Sequence, residues 1–219
     1  MISLIETQDG SHSILSERFG VTYHSKYGAI QESQHVFLKS GLGLVLPKRD
    51  SIRIFEMGFG SGLNAYLSLL TAEKAQKSIS YEAVEAYPIG IEEARKLNYA
   101  DQLNEDAAQL LALHQAEWGK EEQITAHFNL LKWKQPLEEA SLRGGYDVVY
   151  YDAFAPRTQP ELWEREPFQR LYDAMNSDGV LVTYCAKGVF KRTLKDIGFE
   201  VEGLPGPPGK REMTRAFKV

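Results

Sequence analysis

Ile54-Phe-Glu-Met-Gly58-Phe-Gly60-Ser-Gly62-Leu-Asn-Ala65 joins an apolar β-type run at 51–56 to a helical run at 63–75 through a turn with three glycines. Glycine lets a backbone turn sharply and approach a ligand closely, and the N–H groups at the start of the following helix are open to an acceptor. A strand, a glycine turn and a helix in that order are the opening unit of a parallel α/β sheet. The pattern continues downstream. Strands are expected at 79–85, 124–130, 146–152, 180–186, 199–202 and 213–218, and helices at 91–97, 107–118, 167–175 and 189–197. Tyr87-Pro88, Asn176-Ser-Asp-Gly179 and Gly198 punctuate them.

The last two strands are joined by a Gly/Pro loop with no helix, so they must run antiparallel. Seven strands, six parallel and one reversed, are expected of a class I methyltransferase-like Rossmann fold. Upstream, 11–15 and 22–24 read as short strands, and 28–38 as a helix ending near Gly41 or Gly43. Residues 1–47 are therefore expected to be an entry segment packed on the same domain, and 48–219 the domain proper.

The 219 residues are 43% hydrophobic and 25% charged, which excludes global disorder, collagen and coiled coil. Cys185 is the single cysteine, so neither an intrachain disulfide nor a cysteine-rich zinc site is open to the chain. His12, His24, His35, His114 and His127 show no ligand spacing, and no metal is expected. The first ten residues lack a signal-peptide pattern, and no apolar run approaches the roughly 18–20 residues of a membrane span. The expected location is the cytoplasm, with no membrane partner. The net charge of −5 excludes a wholly basic coat for nucleic acid. Yet residues 187–219 carry eight basic and four acidic side chains, a net +4 that leaves −9 on residues 1–186. A solvated surface explains such a cluster, and so does a phosphate-binding rim.

The glycine spacing narrows the cofactor. Dinucleotide sites use Gly-x-Gly-x-x-Gly, and that last place is Leu63 here. Gly58, Gly60 and Gly62, with Glu56 at the strand end to meet an ammonium, suit S-adenosylmethionine better than a pyrophosphate. A glycine turn without a ligand is the plainer alternative. Glu85 ends the second strand and is placed to reach ribose hydroxyls, whereas Glu82 lies on the opposite face and reads as structural. The third strand should bring Asn129 or Leu130 to the adenine. Asp152 ends an apolar strand at the edge of the sheet where ligands bind in open α/β folds, and Ala-Phe-Ala-Pro156 follows it. A carboxylate there can orient an amine and stabilise the charge it gains on alkylation, or can simply cap the loop.

Glu56 through Asn64, Asp152-Ala-Phe-Ala-Pro156 through Pro160-Glu-Leu-Trp163, and Lys210-Arg-Glu-Met213 resemble the methyltransferase domain of the MnmC-type tRNA 5-methylaminomethyl-2-thiouridine biosynthesis enzymes. Thr7 through Ser11, Tyr23-His-Ser25 and Gly28 through Phe37 resemble that family's entry segment. The resemblance covers nearly the whole chain. It implies methylation of the amine of 5-aminomethyl-uridine at the tRNA wobble position, with S-adenosylmethionine as donor and Asn64 among the cofactor-binding residues. The family's bifunctional members add a flavin-dependent oxidase domain. No second glycine fingerprint precedes Val219, so the chain resembles the stand-alone form. Lys187, Arg192, Lys210 and Arg211 are then expected to meet phosphates of a tRNA anticodon arm. Tyr23, His24 and Phe154 are expected to cover or stack on the flipped base. An aminopropyltransferase or other small-amine transferase, and a non-catalytic RNA-binding module on the same fold, are the competing functions.

Overall fold

The computed structural model describes residues 2–219. Three short strands, β1 (Ile2–Glu6), β2 (His12–Ser16) and β3 (Val21–Thr22), pair antiparallel in that order. A continuous helical rod follows over 29–45, regular through Ala29–Ser33, widened to π-helical geometry over Gln34–Leu42, and closed by Gly43–Val45. Then come β4 (Ser51–Met57), the helix Leu63–Ala75, β5 (Ser78–Val84) and the short helices Ile91–Ala94, Tyr99–Leu103 and Ala107–Gln115. β6 (Glu121–Thr125), β7 (Phe128–Trp133), β8 (Tyr146–Tyr151) and the helix Arg165–Ala174 lead to β9 (Met175–Thr183). The helix Gly188–Ile197, β10 (Phe199–Pro205) and β11 (Glu212–Lys218) complete the fold.

Among the described residues the main sheet has eight strands in the order β10-β11-β9-β8-β4-β5-β7-β6. β4, β5, β7, β8 and β9 are mutually parallel, while β11 runs against both β9 and β10. Side chains alternate between the two faces, as the period of a strand requires. Val148, Tyr150, Val180 and Val182 enter one core with the rod 29–45 and the helix Leu63–Ala75. Val149, Tyr151 and Leu181 enter the other with Phe168, Leu171, Phe190 and Leu194 of the two C-terminal helices. β4 is central, so Gly58, Glu85 and Asp152, each following the last residue of β4, β5 or β8, meet at one edge.

Several expectations are corrected. The expected strand 124–130 is a hairpin, β6 running antiparallel to β7, so the sheet has eight strands and two reversed ones. Glu73 from the neighbouring helix ties the turn, accepting from the Thr125 hydroxyl and the His127 N–H. The expected helices 91–97 and 107–118 stop at Ala94 and Gln115, and β1 and the helix Tyr99–Leu103 were unforeseen. Asn176 to Gly179 lies inside β9 as an irregularity, where the pairing skips from Tyr146–Met175 to Val148–Val180 and Asp178 is left-handed. The turn chemistry was right, but strand pairing resumes on both sides of it.

The rod runs through Gly41 and Gly43 instead of ending there. Gly41 faces the sheet, and a Cβ there would stand 2.9 Å from Val182 Cγ2 and 3.3 Å from Tyr150 Cε1. Its glycine serves close helix–sheet packing and not helix termination. The Gly41→Ala variant should therefore lose stability by roughly 1–2 kcal/mol in urea unfolding. If the glycine were only a tolerated helix residue, alanine would instead raise stability by about 0.5–1 kcal/mol.

Candidate active site

Glu56 is fully buried at the end of β4. The chain then turns through Gly58, Gly60 and Gly62, all left-handed, with φ of 89°, 51° and 73°. A Cβ at Gly58 would meet the Asp152 carbonyl oxygen at 2.9 Å, and one at Gly62 would meet His114 Nε2 at 2.8 Å. The turn thus needs glycine for both backbone conformation and space. Most of its N–H groups are already used, contrary to the expectation of open donors. Gly58 and Phe59 donate to the Val84 carbonyl, Gly62 to Phe59, and Gly60 to Glu85 Oε2 at 2.9 Å.

The turn delivers Asn64 to the first turn of its helix, where Nδ2 donates to Glu56 Oε1 and to Asp152 Oδ2, both at 2.9 Å. One amide thereby spans two carboxylates from neighbouring strands. Burial pushes the Glu56 carboxyl well up, with the Asn64 bond opposing and the Asp152 charge adding. Burial also raises Asp152, to about 7, helped by the charge of Glu32 and opposed by the Asn64 bond and Lys210. Glu85 accepts from the Gly60 and Tyr87 N–H groups, which offset the upward push of burial.

Two cavities meet at this point. The first is lined by the glycine turn, Glu85, Tyr87, Asn64, Asp152 and Phe154, with Phe19 from the β2–β3 turn. The second, of 450 Å³, is lined by Glu32, Arg157, Tyr184 and Lys210 among others. Tyr23, His24, Ala153 and Phe154 line both, and Tyr23 and Phe154 stand edge to face with centroids 5.3 Å apart. Phe19 packs on Phe154 and on Tyr87, and Arg18 lies 3.9 Å over the Tyr87 ring. The expected Tyr23 and Phe154 therefore stand in the partition between the two cavities.

Other expected residues lie elsewhere. Asn129 is the second residue of β7, pairing with Ser80 and Gln123. It lines neither cavity, because the strand runs on to Trp133 before reaching the site edge. His24 is buried, and its Nε2 shares a 3.0 Å hydrogen bond with Ser61 Oγ. Its ring is held against the glycine turn and is not presented for stacking on a base. Burial holds its pKa down to about 4, so it is neutral there. Lys210 was expected on a phosphate; its Nζ instead pairs with Glu32 Oε1 at 2.5 Å and sits 3.7 Å over the Tyr184 ring. Lys187, Arg192 and Arg211 are exposed outside both cavity linings. Glu82, read as structural, accepts from Trp133 Nε1 and the Tyr146 hydroxyl.

The sequence reading missed Glu32, Arg157, Tyr184 and Phe19 as site residues. Arg157 and Glu32 sit in the quoted Asp152–Trp163 and Gly28–Phe37 stretches, but Tyr184 and Phe19 carried no local signal. It also missed a support behind the turn. His114 Nε2 donates to the Ser61 carbonyl, and the helix bearing His114 is capped by Lys132, whose Nζ reaches the Leu113 and His114 carbonyls at 2.6 and 3.0 Å. Lys132 is buried over Phe59 and Trp118, and burial lowers it to about 8.

Residues 93–219 match the model of a family described as S-adenosyl-L-methionine-dependent methyltransferase. The chain belongs to that family. The match includes Asp152 and the basic C-terminal segment, while the glycine turn lies outside it. The methyltransferase is also similar to the tRNA 5-methylaminomethyl-2-thiouridine biosynthesis bifunctional protein MnmC of Marinomonas sp. (strain MWYL1), with 31% identity over 91% of this chain and 31% of that one. The protein of the same name from Cupriavidus necator is 30% identical over 92% of this chain and 32% of its own. The methyltransferase thus spans about a third of these curated relatives. Its fold superposes on MNMC2 from Aquifex aeolicus with a TM-score of 0.82 at 23% identity, covering all of this chain and 70% of that one. Spermidine synthase from Thermotoga maritima follows with a TM-score of 0.57 at 14% identity, over all of this chain and 72% of that one.

The residues present fit the cofactor that the family name prescribes. Glu56 Oε2 and Asn64 Oδ1 are buried acceptors without a protein partner, a pair suited to the ammonium of the cofactor's amino-acid end. Each Glu85 oxygen keeps a second lone pair for ribose hydroxyls. Among the described residues no group of three or more His, Cys, Asp or Glu side chains could hold a metal, and no helix is long and apolar enough to cross a membrane.

The raised Asp152 carboxyl has a measurable consequence. It ionises near 7 in the fold against 3.8 ordinarily, so its contribution to stability is complete below about pH 4 and is lost as pH rises to 7. The Asp152→Asn variant should melt above the parent at pH 8 and by a smaller margin at pH 5. Equal margins at both pH values in scanning calorimetry would show that no buried charge is at stake.

Proposed function

We propose that this methyltransferase acts on the primary amine of a 5-aminomethyl-uridine at the wobble position of a tRNA anticodon arm. The observation that carries the proposal is the meeting of the two cavities along Tyr23, His24, Ala153 and Phe154: Asp152 faces the cofactor residues in the first, and its neighbour Ala153 also walls the separate 450 Å³ space. The acceptor chemistry is supported by the relatives, whose name specifies a 5-methylaminomethyl product on tRNA.

When bound, S-adenosylmethionine supplies an electrophilic methyl group on a cationic sulfur. Glu56 and Asn64 would hold its amino-acid end and Glu85 its ribose, and the glycine turn would let the backbone come close. Asp152 receives the incoming ammonium by a charge-assisted hydrogen bond and takes up its proton, leaving the nitrogen lone pair free. Once that proton has passed on to solvent, the carboxylate stabilises the positive charge that nitrogen gains on alkylation. Tyr23 and Phe154 cover the junction and exclude water, and an unstacked pyrimidine enters the second cavity. Exposed Lys187, Arg192 and Arg211, with Arg157 at the cavity, contact backbone phosphates and make binding salt-dependent. The acidic remainder of the surface disfavours general RNA coating.

Because the amine must lose its proton to react, activity is expected to rise with pH towards the amine's own pKa. The Asp152→Ala variant should lose roughly a hundredfold or more in turnover while binding S-adenosylhomocysteine within a few-fold of the parent. Retained turnover would remove Asp152 from the chemistry. The substrate is tested by nucleoside mass spectrometry of tRNA from cells lacking the protein. Accumulated 5-aminomethyl-uridine is the expected result, and an unchanged profile refutes this acceptor.

A further inference from the structure

We propose that Glu32 and Lys210 act together as positioning residues for Asp152: the pair braces the wall on which Asp152 stands and balances the charge that faces it. The inference rests on the role proposed above for Asp152 and extends it to Glu32 and to Lys210, which was expected on a phosphate.

The geometry is specific. Glu32 comes from the rod 29–45, and its carboxylate is buried at the second cavity. Oε2 accepts from the Ser25 N–H at 2.8 Å, and Oε1 accepts from Lys210 Nζ at 2.5 Å. Lys210 lies in the loop between β10 and β11, so the pair ties positions 178 apart in the chain. The ammonium rests 3.7 Å over the Tyr184 ring, and the Tyr184 hydroxyl donates to the Ala153 carbonyl at 2.8 Å. Ala153 is the neighbour of Asp152, so the brace runs from Glu32 through Lys210 and Tyr184 to the backbone that carries the carboxylate. An ion pair of this kind, with Glu32 buried and Lys210 partly exposed, contributes little net stability and is more readily explained by a positional role.

The charges around Asp152 point the same way. Glu56 faces it from β4, Tyr81 from β5, Tyr184 from beyond β9, Glu32 from the rod and Lys210 from the C-terminal loop. Both phenols are held neutral by burial. Burial also favours the neutral form of the Glu56 carboxyl. His24, beside the pair, is neutral above about pH 4. Glu32 and Lys210 therefore act on Asp152 with opposite sign, the first favouring its protonated form and the second its carboxylate. A base that must be ionised to work is sensitive to that balance.

The test is the pH dependence of kcat/KM between pH 5.5 and 9 for the parent, Glu32→Gln, Lys210→Met, Lys210→Arg and the Glu32→Gln/Lys210→Met double variant. The lower break should move to lower pH by roughly half a pH unit or more in E32Q, and to higher pH by a similar amount in K210M. The double variant should fall between them, and K210R should keep the parental break. Neither residue lines the first cavity, so S-adenosylhomocysteine affinity should stay within a few-fold of the parent in every folded variant. A break that stays put, or moves in the same direction in E32Q and K210M, overturns the proposal. The underlying reading fails separately, by turnover that survives Asp152→Asn. An inactive D152N protein together with an unmoved break in E32Q and K210M sinks only the role of the pair.

Discussion

A single side-chain amide holds the site together. Asn64 Nδ2 has two protons, and each goes to a carboxylate on a different strand end, Glu56 on β4 and Asp152 beyond β8. Two carboxylates brought this close, in a site largely closed to water, repel one another unless a donor stands between them. The amide reaches both only because three alternate left-handed glycines, Gly58, Gly60 and Gly62, start its helix at that spot. The glycines are required in turn by the closeness of the strands: the Asp152 N–H donates to the Met57 carbonyl, and the Asp152 carbonyl occupies the space a Cβ at Gly58 would take. Sheet order, glycine turn and amide bridge are one constraint seen at three scales.

The N-terminal segment completes that constraint. Asn98 stitches the small sheet to the domain, accepting from the His12 N–H and donating to the Gly10 carbonyl. Ile14, Val36, Phe37 and Leu42 enter the same core as the central strands. Once docked, the segment contributes Phe19, Tyr23, His24 and Glu32 to the two cavities. His24 from this segment and His114 from the domain hold Ser61 from both sides, one at the hydroxyl and one at the carbonyl. Both rings are kept neutral by burial, to about 4 in each case. The clamp therefore stays uncharged where the amine chemistry operates.

The residues legible from sequence were those whose role depends on their immediate neighbours. Gly58, Gly60 and Gly62 announced a turn because backbone conformation is local. Glu56, Glu85 and Asp152 were found because each ends a short β-type run, and strand ends gather at one edge of a parallel sheet. Asn64 was reached only through a family resemblance, since nothing in its spacing says which acceptors its amide will meet. Asn129 was misplaced by an error of strand boundary: the apolar run continued through Leu131, and an edge hairpin was taken for one strand. Gly41 was read as a helix stop because glycine usually signals one, whereas the sheet behind it decides its purpose.

The sequence by itself determined the alternation of strand and helix, the glycine turn, the carboxylates at the strand ends and the family of the chain. The first three follow from periodicity and turn chemistry over a few residues, and the family from the resemblance of several motifs. Only the tertiary structure decided that Lys210 turns inward to Glu32 across 178 positions, that His24 supports the cofactor turn, and that Arg157 and Phe19 reach the cavities. Those outcomes depend on which buried charge finds which partner once the chain has closed. Burial sets that choice, because a carboxylate withdrawn from water takes the cation the fold brings to it, however far away in the chain.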